Sequence, residues 1–220
     1  MNLRVFDDGE DLAHAAARAI RQSGARTIGL TGGTTPIRLY EILAESLPQD
    51  VTWVLVDERY VPPDDPQSNA AMIERTLFAR GVPERWLRFK TERNDPAETA
   101  RVFDEEWRAL GIAALDLVLL GCGDDGHTAS LFPGTPVLDV EDRIASAVFV
   151  PRLDQWRVTL TMPVLRAATS RMVLAMGAAK AKVIREVQEG AAHPVALATR
   201  GVETWWFVDR AAAAVQPPRI

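Results

Sequence analysis

The stretch Leu120-Gly121-Cys122-Gly123-Asp124-Asp125-Gly126-His127-Thr128-Ala129-Ser130-Leu131-Phe132-Pro133-Gly134 carries the densest chemistry in the chain. An apolar run enters a turn with three glycines, two acids and a histidine before apolar residues resume. Histidine has the unperturbed pKa nearest neutrality, so His127 can take a proton from water. An adjacent aspartate could orient the ring, and the glycine N–H groups could steady a developing oxyanion. A lone histidine is more often structural. One in a glycine-rich turn at a strand end is unlike core material, so a functional role is preferred.

Two other strand ends carry unusual residues. In Leu30-Thr31-Gly32-Gly33-Thr34-Thr35-Pro36, two glycines let the backbone approach a ligand closely. Threonine hydroxyls and the free N–H groups of a following helix can bind an anion there. The pattern is neither the dinucleotide fingerprint nor the P-loop, which disfavours nicotinamide cofactors and ATP. Phosphate binding is preferred over a plain strand-to-helix turn. In Val56-Asp57-Glu58-Arg59-Tyr60-Val61, two adjacent acids close an apolar strand. Alternation sends them to opposite faces, so at most one of the two acids faces a given ligand. Arg59 could fork onto a phosphate or pair with an acid, and this stretch alone leaves catalysis and a structural ion pair both open.

The elements that must position these residues alternate along the chain. Strands are expected at 27–30, 53–56, 115–120, 144–150, 158–161, 172–176 and 205–208. Several are apolar on both faces, as in the centre of a parallel sheet covered by helices. Helices are expected at 11–22, 36–47, 69–80, 97–110 and 179–189. This predicts an α/β, Rossmann-like fold: a mostly parallel sheet with helices on both faces and a site at the carboxyl ends of the strands. The tail Gln216-Pro217-Pro218-Arg219 is expected to fray.

At 220 residues, 47% hydrophobic, the chain suits a single domain spanning 1–220. A net charge of -5 with no long basic run disfavours nucleic acid as a partner. The first residues lack the apolar stretch of a signal peptide, and no apolar run is long enough to span a bilayer, so a cytoplasmic protein without membrane contact is expected. Cys122 is the only cysteine, which excludes an internal disulfide, and no Cys/His cluster has zinc-ligand spacing, so no metal is expected. Cys122 reads as a packing residue, His14 as a surface or half-buried helix residue and His193 as a loop residue preceding Pro194.

Residues 121–134 closely resemble the signature of 6-phosphogluconolactonases. Asp57-Glu58-Arg59-Tyr60-Val61-Pro62 with Ser68-Asn69, Thr31 to Pro36, Arg157-Val158-Thr159-Leu160-Thr161 and Gly177-Ala178-Ala179-Lys180-Ala181 are similar to further motifs of that family, in the expected order. The resemblance implies hydrolysis of 6-phospho-D-glucono-1,5-lactone to 6-phosphogluconate in the oxidative pentose phosphate pathway, without a cofactor. It implies that His127 activates water, positioned by Asp125, Asp57 or both. Gly32, Gly33, Thr34, Thr35, Arg59, Gly126, Arg157 and Lys180 are the positions it implies for holding phosphate and sugar. The implied partner is a small phosphorylated lactone; a monomer is expected, with a homodimer as the alternative. The segment 150–156 departs from the proline-rich, lysine-bearing run of many members, and Arg152 is assigned no role. The rival readings are an amino-sugar phosphate deaminase, whose motifs typically read Asp-Glu-Tyr and His-Ile-Ala-Phe-Asn, and a non-catalytic sugar-phosphate sensor.

Overall fold

The computed structural model describes residues 1–92 and 95–214; the tail 216–219 lies outside the described residues. Four apolar runs become neighbouring strands: β2 (Thr27–Leu30), β3 (Thr52–Leu55), β6 (Leu117–Gly121) and β9 (Ser170–Ala175). Being covered on both faces, they read as continuous apolar stretches rather than alternating ones. They join β1 (Asn2–Phe6), β5 (Trp86–Leu87) and β10 (Thr204–Asp209) in a seven-stranded parallel sheet of order β1-β10-β9-β6-β2-β3-β5. β1 and the two-residue β5 lie at its edges, and neither stands out as a strand by sequence.

Helices α1 (Gly9–Gln22), α2 (Ile37–Ala44) and α3 (Asn69–Thr76) follow strands whose chain moves toward β5. Helices α4 (Pro96–Ala109), α5 (Met162–Ala167), α6 (Ala181–Gln188) and α7 (Pro194–Thr199) lie on connections that move the other way. Right-handed crossovers therefore place the two groups on opposite faces of the sheet. α1 shows how the sequence secures such a helix. The Asp8 carboxylate accepts from the N–H groups of Glu10 and Asp11 at 2.9 and 3.0 Å, and Leu12, Ala13, Ala16, Ala17 and Ile20 form its buried stripe. Such a cap is worth about 1 kcal/mol. α5 and α7 were absent from the sequence expectation because six residues are too few to display a helical period.

Residues 144–150 and 158–161 do form strands, β7 (Ala145–Val150) and β8 (Gln155–Leu160), but outside the parallel sheet. They pair antiparallel with each other and with β4 (Asp57–Arg59) in a separate sheet of order β4-β8-β7. The cause is the link between them: a 3-10 turn at Pro151–Leu153 closed by Asp154 in the left-handed region at φ 48°. So short a link permits only an antiparallel return. Asp104 of α4 ties this sheet down, accepting from the N–H groups of Ile144 and Ala145 at 3.2 and 2.7 Å.

Candidate active site

β2 sends its chain one way along the sheet, to β3, and its neighbour β6 sends its chain the other way, to β9. Between two such strands a crevice opens at their carboxyl ends. The cleft here, about 220 Å³, is that crevice, lined by the loop after β2, the turn after β6, β4, β8 and the segment after β9. Asp57, Arg59, His127, Arg157 and Lys180 all face it, with Gly32, Gly33, Thr34 and Thr35.

His127 sits in the turn after β6, its ring stacked on Phe132 at 4.1 Å between centroids. Its Nδ1 lies 2.5 Å from Oδ1 of Asp125, which also accepts the His127 backbone N–H at 3.1 Å. An ionised carboxylate only accepts, so the ring proton belongs on Nδ1 and the lone pair on Nε2. Burial drives the His127 pKa down, the hydrogen bond and charge of Asp125 and the charge of Asp57 oppose it, and the net shift is below the ordinary value. For Asp125, burial raises the carboxyl, but His127 and Arg152 outweigh it and hold it below its usual range. Glycine is required at 123 because a Cβ there would lie 2.0 Å from His127 Nδ1.

Arg59 and Arg157 are directly opposite each other on β4 and β8. Side chains so placed share a face about 5 Å apart, and like charges there repel. Arg59 donates to the Gln67 carbonyl at 2.5 Å, yet the Nε of each arginine is buried without a partner. Among the described residues neither forms an ion pair. Burial, with the Arg59 charge adding to it against the pull of Asp57 and Glu58, pushes the Arg157 guanidinium below its usual range. Two cations without an ion-pair contact, each with an orphaned donor, beside the Thr34-Thr35 turn that opens α2, are what an incoming anion would satisfy. No side chain caps that helix. Lys180 adds a third cation, paired in this structure with Asp124.

Alternation separates the two acids of β4 as expected. Asp57 faces the cleft and accepts from the Ser130 hydroxyl at 2.7 Å. Glu58 turns away and accepts from the N–H groups of Arg59, Asn69 and Ala70 and the hydroxyl of Ser68, tying β4 to the start of α3.

A family model for glucosamine-6-phosphate isomerases and 6-phosphogluconolactonases matches residues 7–206. The chain belongs to this family. A 6-phosphogluconolactonase of Nostoc sp. is 39% identical over 211 residues, spanning 89% of this chain and 87% of its own. A 6-phosphogluconolactonase structure from Thermotoga maritima superposes with a TM-score of 0.85 at 27% identity, covering 94% of this chain and 99% of the other. A monomeric glucosamine-6-phosphate deaminase reaches the same TM-score at 22% identity, covering 98% and 100%, so the shared fold alone does not separate the two reactions.

Of the positions that the family resemblance singled out, only Asp125 and Gly126 do not line the cleft. Asp125 acts on it from behind His127. Gly126 has φ +79°, and a Cβ there would lie 2.4 Å from Nδ1 of His193. Its carbonyl accepts from the Val195 N–H at 3.0 Å, so the residue joins the turn to α7 rather than reaching the cleft. The glycine amides are also spent differently from the expectation: Gly123 N–H donates to the His127 carbonyl and Gly126 N–H to the Gly123 carbonyl. They hold the turn's shape and are not free for an oxyanion. Asn69 lines the cleft with its Oδ1 buried and unpartnered, its Nδ2 donating to the Asp57 carbonyl at 2.9 Å. Its place in the Ser68-Asn69 motif was the available signal. Arg152 is the other residue without a role by sequence; its Nη2 stands 2.7 Å from Oδ2 of Asp125.

His14 is exposed on α1 beside Glu10 and His193 lies in the loop just before Pro194 and α7, both as expected; His193 also pairs with Glu186 at 2.8 Å. Cys122 is buried, and burial pushes its thiol up to about 12, against the opposing charge of Lys180. Such a thiol packs rather than reacts.

Proposed function

We propose that this family member hydrolyses 6-phospho-D-glucono-1,5-lactone to 6-phospho-D-gluconate, a step of the oxidative pentose phosphate pathway. The observation that carries the proposal is the meeting, in one small cleft, of a carboxylate-held imidazole with the opposed guanidiniums of Arg59 and Arg157. The names of the similar curated proteins support it. The cleft falls below the roughly 300–1,000 Å³ of typical drug-sized sites, which suits a single sugar phosphate better than a dinucleotide.

In the proposed reaction Nε2 of His127 removes a proton from water as its oxygen bonds to the lactone carbonyl carbon. Asp125 keeps the other proton on Nδ1 and stabilises the imidazolium that forms. Collapse of the tetrahedral adduct breaks the bond from the carbonyl carbon to the ring oxygen. The imidazolium returns its proton to that oxygen, giving the open hydroxy acid. Arg59 and Arg157, with Lys180 and the Thr34-Thr35 turn, hold the phosphate, and Asp57 and Asn69 contact the sugar. No helix among the described residues is long and apolar enough to cross a membrane, and a soluble substrate fits the expected cytoplasmic location.

The test generates the lactone in situ from glucose-6-phosphate and follows acid release against the spontaneous rate. Hydrolysis well above that rate is expected, and His127→Ala should lower kcat by about two to four orders of magnitude. A rate at background, with ammonia released from glucosamine-6-phosphate, would transfer the chain to the deaminase reaction instead.

A further inference from the structure

Asp125 is held from two sides. Its Oδ1 takes the His127 ring proton, and its Oδ2 faces Nη2 of Arg152 at 2.7 Å. Arg152 comes from a different element, the 3-10 turn between β7 and β8. Pro151 starts that turn and the Asp154 N–H closes it onto the Pro151 carbonyl at 3.1 Å, so the arginine projects from a fixed base. Its guanidinium carbon also lies 5.0 Å from the centroid of the Phe132 ring on which His127 stacks. It thus touches both groups that set the plane of the imidazole and is not among the residues lining the cleft.

We infer that Arg152 is a positioning residue for the base: by fixing the outer oxygen of Asp125 it fixes the carboxylate rotamer from which the inner oxygen aligns His127. The inference rests on the lactonase reading for its chemistry and on the three-residue contact for its geometry. The pair is half-exposed, with 54% of the Arg152 side chain and 32% of the Asp125 side chain accessible, so its contribution to folding is small. Its effect falls on the ring. Asp125 favours the protonated imidazole, and the Arg152 charge opposes it. The other charges around the ring are Asp124 and Asp125 in its own turn, Asp57 and Arg59 on β4, Arg157 on β8, Lys180 after β9 and the His193–Glu186 pair behind Gly126. Replacing Arg152 leaves all of these in place.

The test compares wild type, Arg152→Gln and Arg152→Lys in two measurements. One is the pH profile of kcat/KM for lactone hydrolysis; the other is an NMR titration of the His127 ring nitrogens in the substrate-free protein, assigned with His127→Gln. Arg152→Gln should lower kcat about two- to fivefold with little change in KM, and should move both the acid limb and the His127 titration to higher pH. Arg152→Lys should restore both toward wild type. A kcat loss with limb and titration unmoved, or no change in any quantity, would overturn the positioning role. An inactive wild type whose His127 titration still moves in Arg152→Gln would defeat the lactonase reading while leaving the coupling of Arg152 to His127 intact.

Discussion

His127 is set by opposed influences of burial and charge, and their directions fix what pH should do. Burial pulls its pKa below 6.5 while Asp125 and Asp57 pull it up, and in the proposed reaction the neutral ring is the base. The acid limb of kcat/KM should therefore lie below pH 6.5, with activity lost as pH falls through it. Asp125→Asn removes the largest influence favouring the proton, so the limb should move to lower pH while kcat drops by about two orders of magnitude or more through loss of the held tautomer. The limb moves the opposite way from Arg152→Gln, and a pH–rate series on both variants checks the pair of signs. At this scale the sequence was informative about identity and weak about purpose. The run Gly121-Cys122-Gly123-Asp124-Asp125-Gly126-His127 marked a site, but Gly123 and Gly126 make room for His127 and His193 and spend their amides within the turn rather than on a ligand. Arg152 was invisible because nothing in a linear reading brings it across 27 residues to Asp125.

Among elements, the parallel strands were legible because burial on both faces leaves a continuous apolar run. The antiparallel sheet was legible only as strands. Val158, Thr159 and Leu160 are as buried as any residue of the parallel sheet, so composition could not show that β8 pairs with β4 and β7. That pairing sets Arg157 beside Arg59. The sheet in turn depends on Asp104, whose carboxylate accepts two backbone N–H groups at the start of β7. Asp104→Ala strands those donors at a buried position and should destabilise the protein by about 2 kcal/mol. Urea denaturation with an unchanged m-value would measure it; a change under about 0.5 kcal/mol would mean that the sheet is held by packing alone.

For the molecule as a whole, the proposed phosphate site at the opposed arginines would couple folding to occupancy. An anion that binds only the folded chain adds stability by mass action, about 2.7 kcal/mol at a hundred times its Kd. Inorganic phosphate should therefore raise Tm in a concentration-dependent way, and Arg157→Gln should abolish most of that rise. Without added anion the same variant should melt no lower than wild type, because it removes a buried charge whose desolvation outweighs the pull of Asp57 and Glu58. Differential scanning fluorimetry across a phosphate series reads both effects, and a wild-type Tm flat from zero to tens of millimolar phosphate would remove the anion site from this account.

The two facing guanidiniums also bear on how long the protein lasts. Degradation of transiently opened chains follows the population of the open form when reclosing is fast. An anion that binds only the folded chain lowers that population by mass action, so the population would depend on metabolite supply. When sugar phosphate is plentiful the chain should resist proteases, and when it is scarce copies should be cleared faster, so that abundance follows demand without any dedicated regulator.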